Sequence, residues 1–176
     1  KWRHRRTIET SLNSSEIVAL ERPKEGEKVE IVVKYGAIRV AADQCNSTDN
    51  VTLAFACKAD IFKFQYPNEL DILIEAITDT TYIVETINKT ESIPNDSLMD
   101  WIIQLHIVRH ETNIEKRLLK FFELMMLKLG KRTPEGLVLE HMLSHARIAE
   151  IIGSTRSTVS RTISTLRKNE HIYIDE

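Results

Sequence analysis

The sequence is short of the residues from which most catalytic and metal-binding motifs are built. Five glycines and four prolines are spread over 176 residues. With so few glycines there is no phosphate-cradling GxxxxGK[ST] loop, and neither GxSxG nor HExxH occurs. The two cysteines, Cys45 and Cys57, cannot build a four-thiolate zinc or iron–sulfur site and are too few for a disulfide scaffold. They read as reduced thiols in strand-like surroundings. No run of about 18 apolar residues exists, so no membrane-spanning helix is expected. The chain starts at Lys1 with no apolar signal core behind it. Triplets such as Asn46-Ser47-Thr48 and Asn88-Lys89-Thr90 then reflect composition and not glycosylation. His106 and His110, four apart, could share a metal with Glu111, but solvated or dimer-seam histidines explain them better. No enzyme, no cofactor and no metal site is expected.

Charge is nearly balanced at −2 but unevenly placed. Residues 113–176 carry 11 Lys/Arg against 8 Asp/Glu, whereas residues 1–112 carry 13 against 18. Residues 1–15 read as an irregular basic arm, which a disordered end would also explain. From 16 to 94 the pattern is β. Val29, Ile31 and Val33 alternate, Tyr35-Gly36 reads as a hairpin turn, and Ile38 and Val40 resume the alternation. Further short strands follow in "NVTLAFACKADIF" and "ELDILIEAITDTTYIVETI", the latter hinged at Asp79. An antiparallel barrel or jelly roll is expected.

The pattern changes at residue 95. Leu98, Trp101, Leu105, Val108 and Thr112 recur at spacings of three and four, and Ile102 and Ile103 widen the seam. Asn95, Asp96 or Ser97 would cap this helix over 95–111. A seam on a long helix after a closed β domain predicts a dimer contact through Leu98, Trp101, Ile102, Leu105, Val108 and Thr112. A helix packed on its own barrel would show the same spacing. Thr112 with Glu115 fits a capping box for a second helix, and Gly130 its end. "LVLEHML" reads as a short strand.

Residues 144–168 carry the functional signal. Ser144 caps "HARIAEII", Gly153 makes the turn, and Ser154 caps a helix running to Lys168. Eight Ser or Thr and four basic residues occupy 152–169. At 100° per residue, Val159, Ile163 and Leu166 point one way and Arg156, Ser157, Ser160, Arg161 and Ser164 the other. With Ile148, Ala149 and Ile152 the apolar side makes a small core; the polar side suits a major groove. Arginine can bond guanine O6 and N7 together, and short hydroxyls reach a base or a phosphate. The candidate DNA-binding residues are Ser144, His145, Ser154, Thr155, Arg156, Ser157, Thr158, Ser160, Arg161 and Ser164. A solvated helical hairpin is the blander explanation.

The order of barrel, long helix, helix, strand and helix-turn-helix resembles the CRP/FNR family of transcription regulators. "LSHARIAEIIGSTRSTVSRTISTLR" is most similar to the NtcA-like group of cyanobacterial and plastid nitrogen regulators. The resemblance is specific over about 112–172 and only topological over 16–90. It implies an α+β fold: an N-terminal antiparallel jelly roll of the cyclic-nucleotide-binding type, a dimerisation helix, and a C-terminal winged helix-turn-helix over 112–176. It implies that Arg156 and Arg161 read bases in a two-fold symmetric site, with double-stranded DNA, a second copy of the chain and RNA polymerase as partners. The setting would be a bacterial cytoplasm or a plastid stroma. Ser157 departs from the glutamate of many members and the valine of the NtcA-like ones. Lys63 and Phe64 occupy the family's Gly-Glu phosphate positions, and no arginine lies between Arg39 and Arg109. A degenerate sensor is therefore expected, with no cyclic nucleotide and a weak or absent response to 2-oxoglutarate. "NEHIYIDE" would supply one strand of the wing. Two other readings stand beside this one: a protein-interaction module whose acidic barrel binds a partner, and a regulator still switched by a small molecule.

Overall fold

The computed structural model describes residues 7–43, 50–87, 96–134 and 136–173. Lys1–Arg6, Cys45, the Asn46 and Asn88 triplets, Asn95 and Ile174 fall outside them. The chain divides into two compact units, 1–102 and 103–176. None of the described helices is long and apolar enough to cross a membrane.

The first unit has eight strands: β1 (Thr7–Leu12), β2 (Ile17–Ala19), β3 (Lys28–Tyr35), β4 (Ala37–Ala42), β5 (Val51–Cys57), β6 (Ile61–Gln65), β7 (Ile72–Ala76) and β8 (Thr80–Ile87). They form two four-stranded sheets, ordered β1-β8-β3-β6 and β2-β7-β4-β5, with every pairing antiparallel. This is the expected jelly roll. Alternation selects the faces. Val29, Ile31 and Val33 of β3 are buried and lie in register with Thr86, Val84 and Tyr82 of β8, while Phe64 and Phe62 of β6 pair opposite Val29 and Ile31. Ile38 and Val40 of β4 meet Ala76 and Ile74 of β7 in the same way. Each such large side chain contributes about 1.5–3 kcal/mol by leaving water.

Two expectations for this unit need correction. The supposed irregular arm holds β1, whose backbone pairs with β8 from Thr7↔Glu85 to Leu12↔Thr80. The supposed hairpin at Gly36 is a corner: β3 pairs with β6 and β8, and β4 with β5 and β7, so Gly36 carries the chain from one sheet to the other. Its φ is +78°, and a Cβ there would sit 2.3 Å from the Asp79 carbonyl oxygen and 2.4 Å from Thr80 Oγ1. The hinge at 77–79 is the matching corner between β7 and β8, and it interlocks with the first. Ala37 N–H donates to Thr78 Oγ1 (3.1 Å), and Thr80 Oγ1–H donates to the Ala37 carbonyl (3.1 Å).

Helix α1 (Ser97–His110) starts on the free edge of β6. Asp96 caps it, accepting Met99 N–H at 2.9 Å, and its other oxygen accepts Gln65 N–H at 2.9 Å. Ser97 Oγ accepts Lys63 N–H at 3.2 Å. An edge strand otherwise invites pairing with another chain, and these bonds occupy its donors. Trp101 packs edge-on against Phe55 of β5 at 5.7 Å. The expected dimer contact is corrected in part: Leu98, Trp101, Leu105 and Val108 are buried within the single chain and Thr112 lies beyond the helix, whereas Ile102 stays exposed on α1. The apolar side chains that α1 leaves in water are Met99 (56 % exposed), Ile102 (36 %), Ile103 (49 %) and Ile107 (51 %).

The second unit contains α2 (Ile114–Leu129), β9 (Lys131–Thr133), β10 (Gly136–Val138), α3 (His145–Ile152) and α4 (Arg156–Lys168). Asn113, not Thr112, caps α2, accepting Lys116 N–H at 3.0 Å. Leu118, Phe121, Phe122, Leu124 and Met125 form its buried face. The strand expected in "LVLEHML" is confined to β10, which pairs with the unforeseen β9. Residues 169–173 form no strand, so the small sheet among the described residues lies before α3.

Candidate nucleic-acid interface

Ser144 accepts Arg147 N–H at 3.2 Å and starts α3, which buries Ile148, Ala149, Ile151 and Ile152. Gly153 ends it in the left-handed region (φ 67°, ψ 57°). Ser154 N–H donates to the Ala149 carbonyl (2.8 Å) and Gly153 N–H to that of Glu150 (3.4 Å), the paired closure of a Schellman motif. The cap of α4 is Thr155, one residue later than expected; its Oγ1 accepts Thr158 N–H at 3.2 Å. Val159, Thr162, Ile163 and Leu166 then face inward, and α3, α4 and α2 pack together around them.

Two arginines outside the expected site lie at the turn. Arg117 of α2 donates from Nε to the Glu111 carbonyl (2.7 Å) and from Nη1 to the carbonyls of Ile152 (3.1 Å) and Gly153 (3.3 Å). A cation on the last carbonyls of a helix also meets the negative end of its dipole. Arg109 lies over Gly153: its Nη2 is 3.0 Å from where a Cβ on Gly153 would stand. The Lys120 ammonium donates to Glu111 (2.8 Å) and, with Asn113 N–H, holds that carboxyl below the usual range.

The outward side of α4 presents Arg156, Ser157, Arg161 and Ser164 to solvent, with Thr158 and Ser160 half-buried. The helix contains no acidic residue, and no ion pair engages Arg156 or Arg161 among the described residues. Its hydroxyls fit a helix because they are bonded locally. Thr162, Ser164 and Thr165 donate to the carbonyls of Thr158, Ser160 and Arg161 at 2.9, 2.9 and 3.1 Å. Thr155 Oγ1 lies 3.1 Å from Ser157 Oγ and 2.9 Å from Thr158 Oγ1. Ser154 is half-buried in the turn and Ser144 is exposed at the start of α3. His145 reaches across to α4, its Nδ1 2.7 Å from Ser160 Oγ. The ten expected DNA-binding residues thus lie on α3, on α4 and in the caps and turn that join them. A polar helix face over an apolar stripe, preceded by a short capped helix and a left-handed glycine turn, is helix-turn-helix geometry.

Residues 116–175 match the family profile of the Crp-like helix-turn-helix domain. The C-terminal third is similar to the Crp-like helix-turn-helix domain. Curated relatives match that Crp-like part: global nitrogen regulators of Synechococcus elongatus and Synechocystis sp. are each 41 % identical over 58 residues. That stretch is 33 % of this chain and 26 % of each relative, so the match spans about a quarter of their length. Solved structures extend the likeness to the barrel as a likeness of fold. FixK2 from Bradyrhizobium japonicum aligns with TM-score 0.68 at 18 % identity, over 97 % of this chain and 89 % of that one. A CooA variant from Carboxydothermus hydrogenoformans aligns at 0.60 and 21 %, over 92 % and 77 %. Barrel, long helix and Crp-like domain are therefore the architecture of solved CRP/FNR regulators.

In the barrel, the residues that the resemblance sets in place of a Gly-Glu pair are otherwise engaged. Lys63 is ion-paired with Glu30, and Phe64 is fully buried. The buried Arg39 bonds Glu75 and Thr52 on neighbouring strands. Arg22 donates to the carbonyls of Pro67, Asn68 and Leu70 and to Asp71 Oδ1, and lies 5.0 Å over the Tyr66 ring. The segment between β6 and β7 is thereby fastened to the protein itself. Among the described residues no group of three or more His, Cys, Asp or Glu is placed to hold a metal; His106 and His110 stack edge-on at 5.7 Å.

Proposed function

We propose that this chain is a sequence-specific DNA-binding transcription regulator that acts as a homodimer on a palindromic site and catalyses no reaction. One observation carries the reading: α4 shows solvent an acid-free face built around Arg156 and Arg161, while its opposite face is locked into the unit's core. In the bound state Arg156 and Arg161 reach base edges, and Ser157, Thr158 and Ser164 line the groove. The amide ends of α3 and α4, with Ser144, His145, Ser154 and Thr155, meet phosphates. Two copies of α4 enter successive major grooves about 34 Å apart, one helical turn of DNA.

The dimer contact uses the exposed α1 side chains Met99, Ile102, Ile103 and Ile107, not the buried seam. Four large apolar side chains on one exposed helix make a patch that a second copy would cover. The engaged Lys63, Phe64, Arg39 and Arg22 support a barrel that binds no cyclic nucleotide and, among its described residues, has no disengaged arginine to offer 2-oxoglutarate. RNA polymerase is the remaining proposed partner, in a bacterial cytoplasm or plastid stroma. Selection of sites from random duplexes tests the reading. Recovery of a palindrome with half-sites one helical turn apart is expected; equal binding to every duplex, with a co-purifying protein on the barrel, would favour an interaction module instead.

A further inference from the structure

Four hydroxyls lie on α4 beyond its first turn, at Ser160, Thr162, Ser164 and Thr165. Three of them donate to the carbonyl four residues earlier. Ser160 differs: its Oγ is held at 2.7 Å by His145 Nδ1, from the first position of α3. We infer that His145 sets the hydrogen-bonding sense of the Ser160 hydroxyl, and through it the base that Ser160 selects. The inference rests on the DNA-reading function proposed above and names a specificity device within that interface.

A neutral imidazole carries one N–H, so Nδ1 either donates to Ser160 or accepts from it. Which of these holds is decided by what the other nitrogen meets. His145 stands directly after the Ser144 cap, at the helix end whose amides favour a DNA phosphate. A phosphate oxygen accepts and does not donate, so Nε2 facing it must carry the proton. Nδ1 is then a bare lone pair, and the 2.7 Å bond requires Ser160 O–H to point at the ring. With its proton committed to His145, Ser160 Oγ shows only lone pairs to the groove. Such an atom pairs with the amino groups of cytosine N4 or adenine N6 and is repelled by guanine O6 and thymine O4. An unrestrained serine could instead serve either kind of base. His145 is therefore a positioning residue: it touches the backbone of the DNA yet fixes a base preference through its neighbour.

The test is a base-substitution profile of the selected palindrome, measured with the whole 176-residue chain at one fixed pH and salt concentration. The wild-type chain should prefer cytosine or adenine over guanine or thymine at one position per half-site by about 3- to 10-fold, the worth of a single hydrogen bond. In H145A that preference should collapse toward unity while the preferences set by Arg156 and Arg161 persist. S160A should lose it too, without the general loss of affinity that removing the phosphate contact gives H145A, and the double variant should lose nothing further at that position. H145N, whose amide oxygen can take the place of Nδ1, should restore the preference but not the affinity. An H145A profile identical in shape to wild type, lower only in overall affinity, would overturn the inference and leave the DNA-reading function standing. A wild-type chain with no base preference anywhere would overturn both.

Discussion

Replacing Gly153 by alanine places a Cβ on a residue held at φ 67° and ψ 57°, between α3 and α4. The left-handed region costs an L-residue about 1–2 kcal/mol. Alanine also restricts the unfolded chain, which returns about 0.4–1 kcal/mol, so the net loss should be about 1 kcal/mol. Contact adds little: the new Cβ would meet only the Arg109 guanidinium, at 3.0 Å, and a long side chain can withdraw. Gly36 provides the contrast. Its φ is similar at +78°, yet its Cβ would meet the Asp79 carbonyl at 2.3 Å and two threonine hydroxyls within 2.8 Å. Main chain cannot withdraw, so overpacking adds about 1–3 kcal/mol to the strain. Thermal unfolding followed by far-UV circular dichroism should show the helical transition of Gly153→Ala lowered by about 4–8 °C, the usual equivalent of 1 kcal/mol in a domain of about 60–100 residues. Gly153→Asn should lose less, since asparagine tolerates this region, and Gly36→Ala should disrupt the barrel more severely. Gly153→Ala melting at or above wild type, or Asn costing as much as Ala, would refute the backbone argument.

Four further outcomes follow from the same contacts. Arg117→Ala removes three bonds to main-chain carbonyls and should lower stability in urea by about 2–3 kcal/mol; Arg117→Lys should recover little, because one ammonium cannot span carbonyls on both sides. Ile107→Glu, on the exposed face of α1, should yield a folded monomer by sedimentation, whereas Leu105→Glu, on the buried face, should unfold the chain. Affinity for the selected duplex should fall with salt at a log–log slope of about −5, for about six phosphates neutralised per dimer; a slope near zero would contradict phosphate anchoring. Burial raises the Tyr82 hydroxyl pKa against the opposing bond to Thr10. Folding then favours the neutral phenol, so its stabilisation is complete below about pH 10 and is lost as pH rises from there through the folded-state value. Urea midpoints against pH should show that alkaline loss, and Tyr82→Phe should lessen it.

What could be read from the sequence was what is local. Ser144, Gly153 and the stripe Val159, Ile163 and Leu166 are a cap, a turn and a helix face, each determined within a few residues, and each lies where the spacing put it. Caps slipped by one where two capable residues adjoin, as with Ser154 before Thr155 and Thr112 before Asn113. Partners were the harder question. Alternation through Val29–Val40 records which face of a strand is buried but not which strand lies alongside, so a corner between sheets looked like a hairpin. The Leu98–Val108 spacing records a buried seam but not its owner, and here the chain covers it itself. β1 escaped notice because "TIETSL" has few apolar residues and joins the sheet chiefly through backbone bonds to β8. The role of Arg117 is not legible because two of the three carbonyls it holds lie 35 and 36 residues away.

The central claim is that α4 reads bases and that Arg156 is one of the readers. The most direct measurement compares wild type and Arg156→Ala on the selected palindrome and on its single-base variants, at one fixed salt concentration. The account expects Arg156→Ala to lose about 1–3 kcal/mol on the preferred site, to lose its discrimination at one guanine per half-site, and to bind unrelated duplexes nearly as wild type does. An Arg156→Ala chain that keeps the full wild-type preference at every position would show that the exposed face of α4 is not where this protein reads DNA.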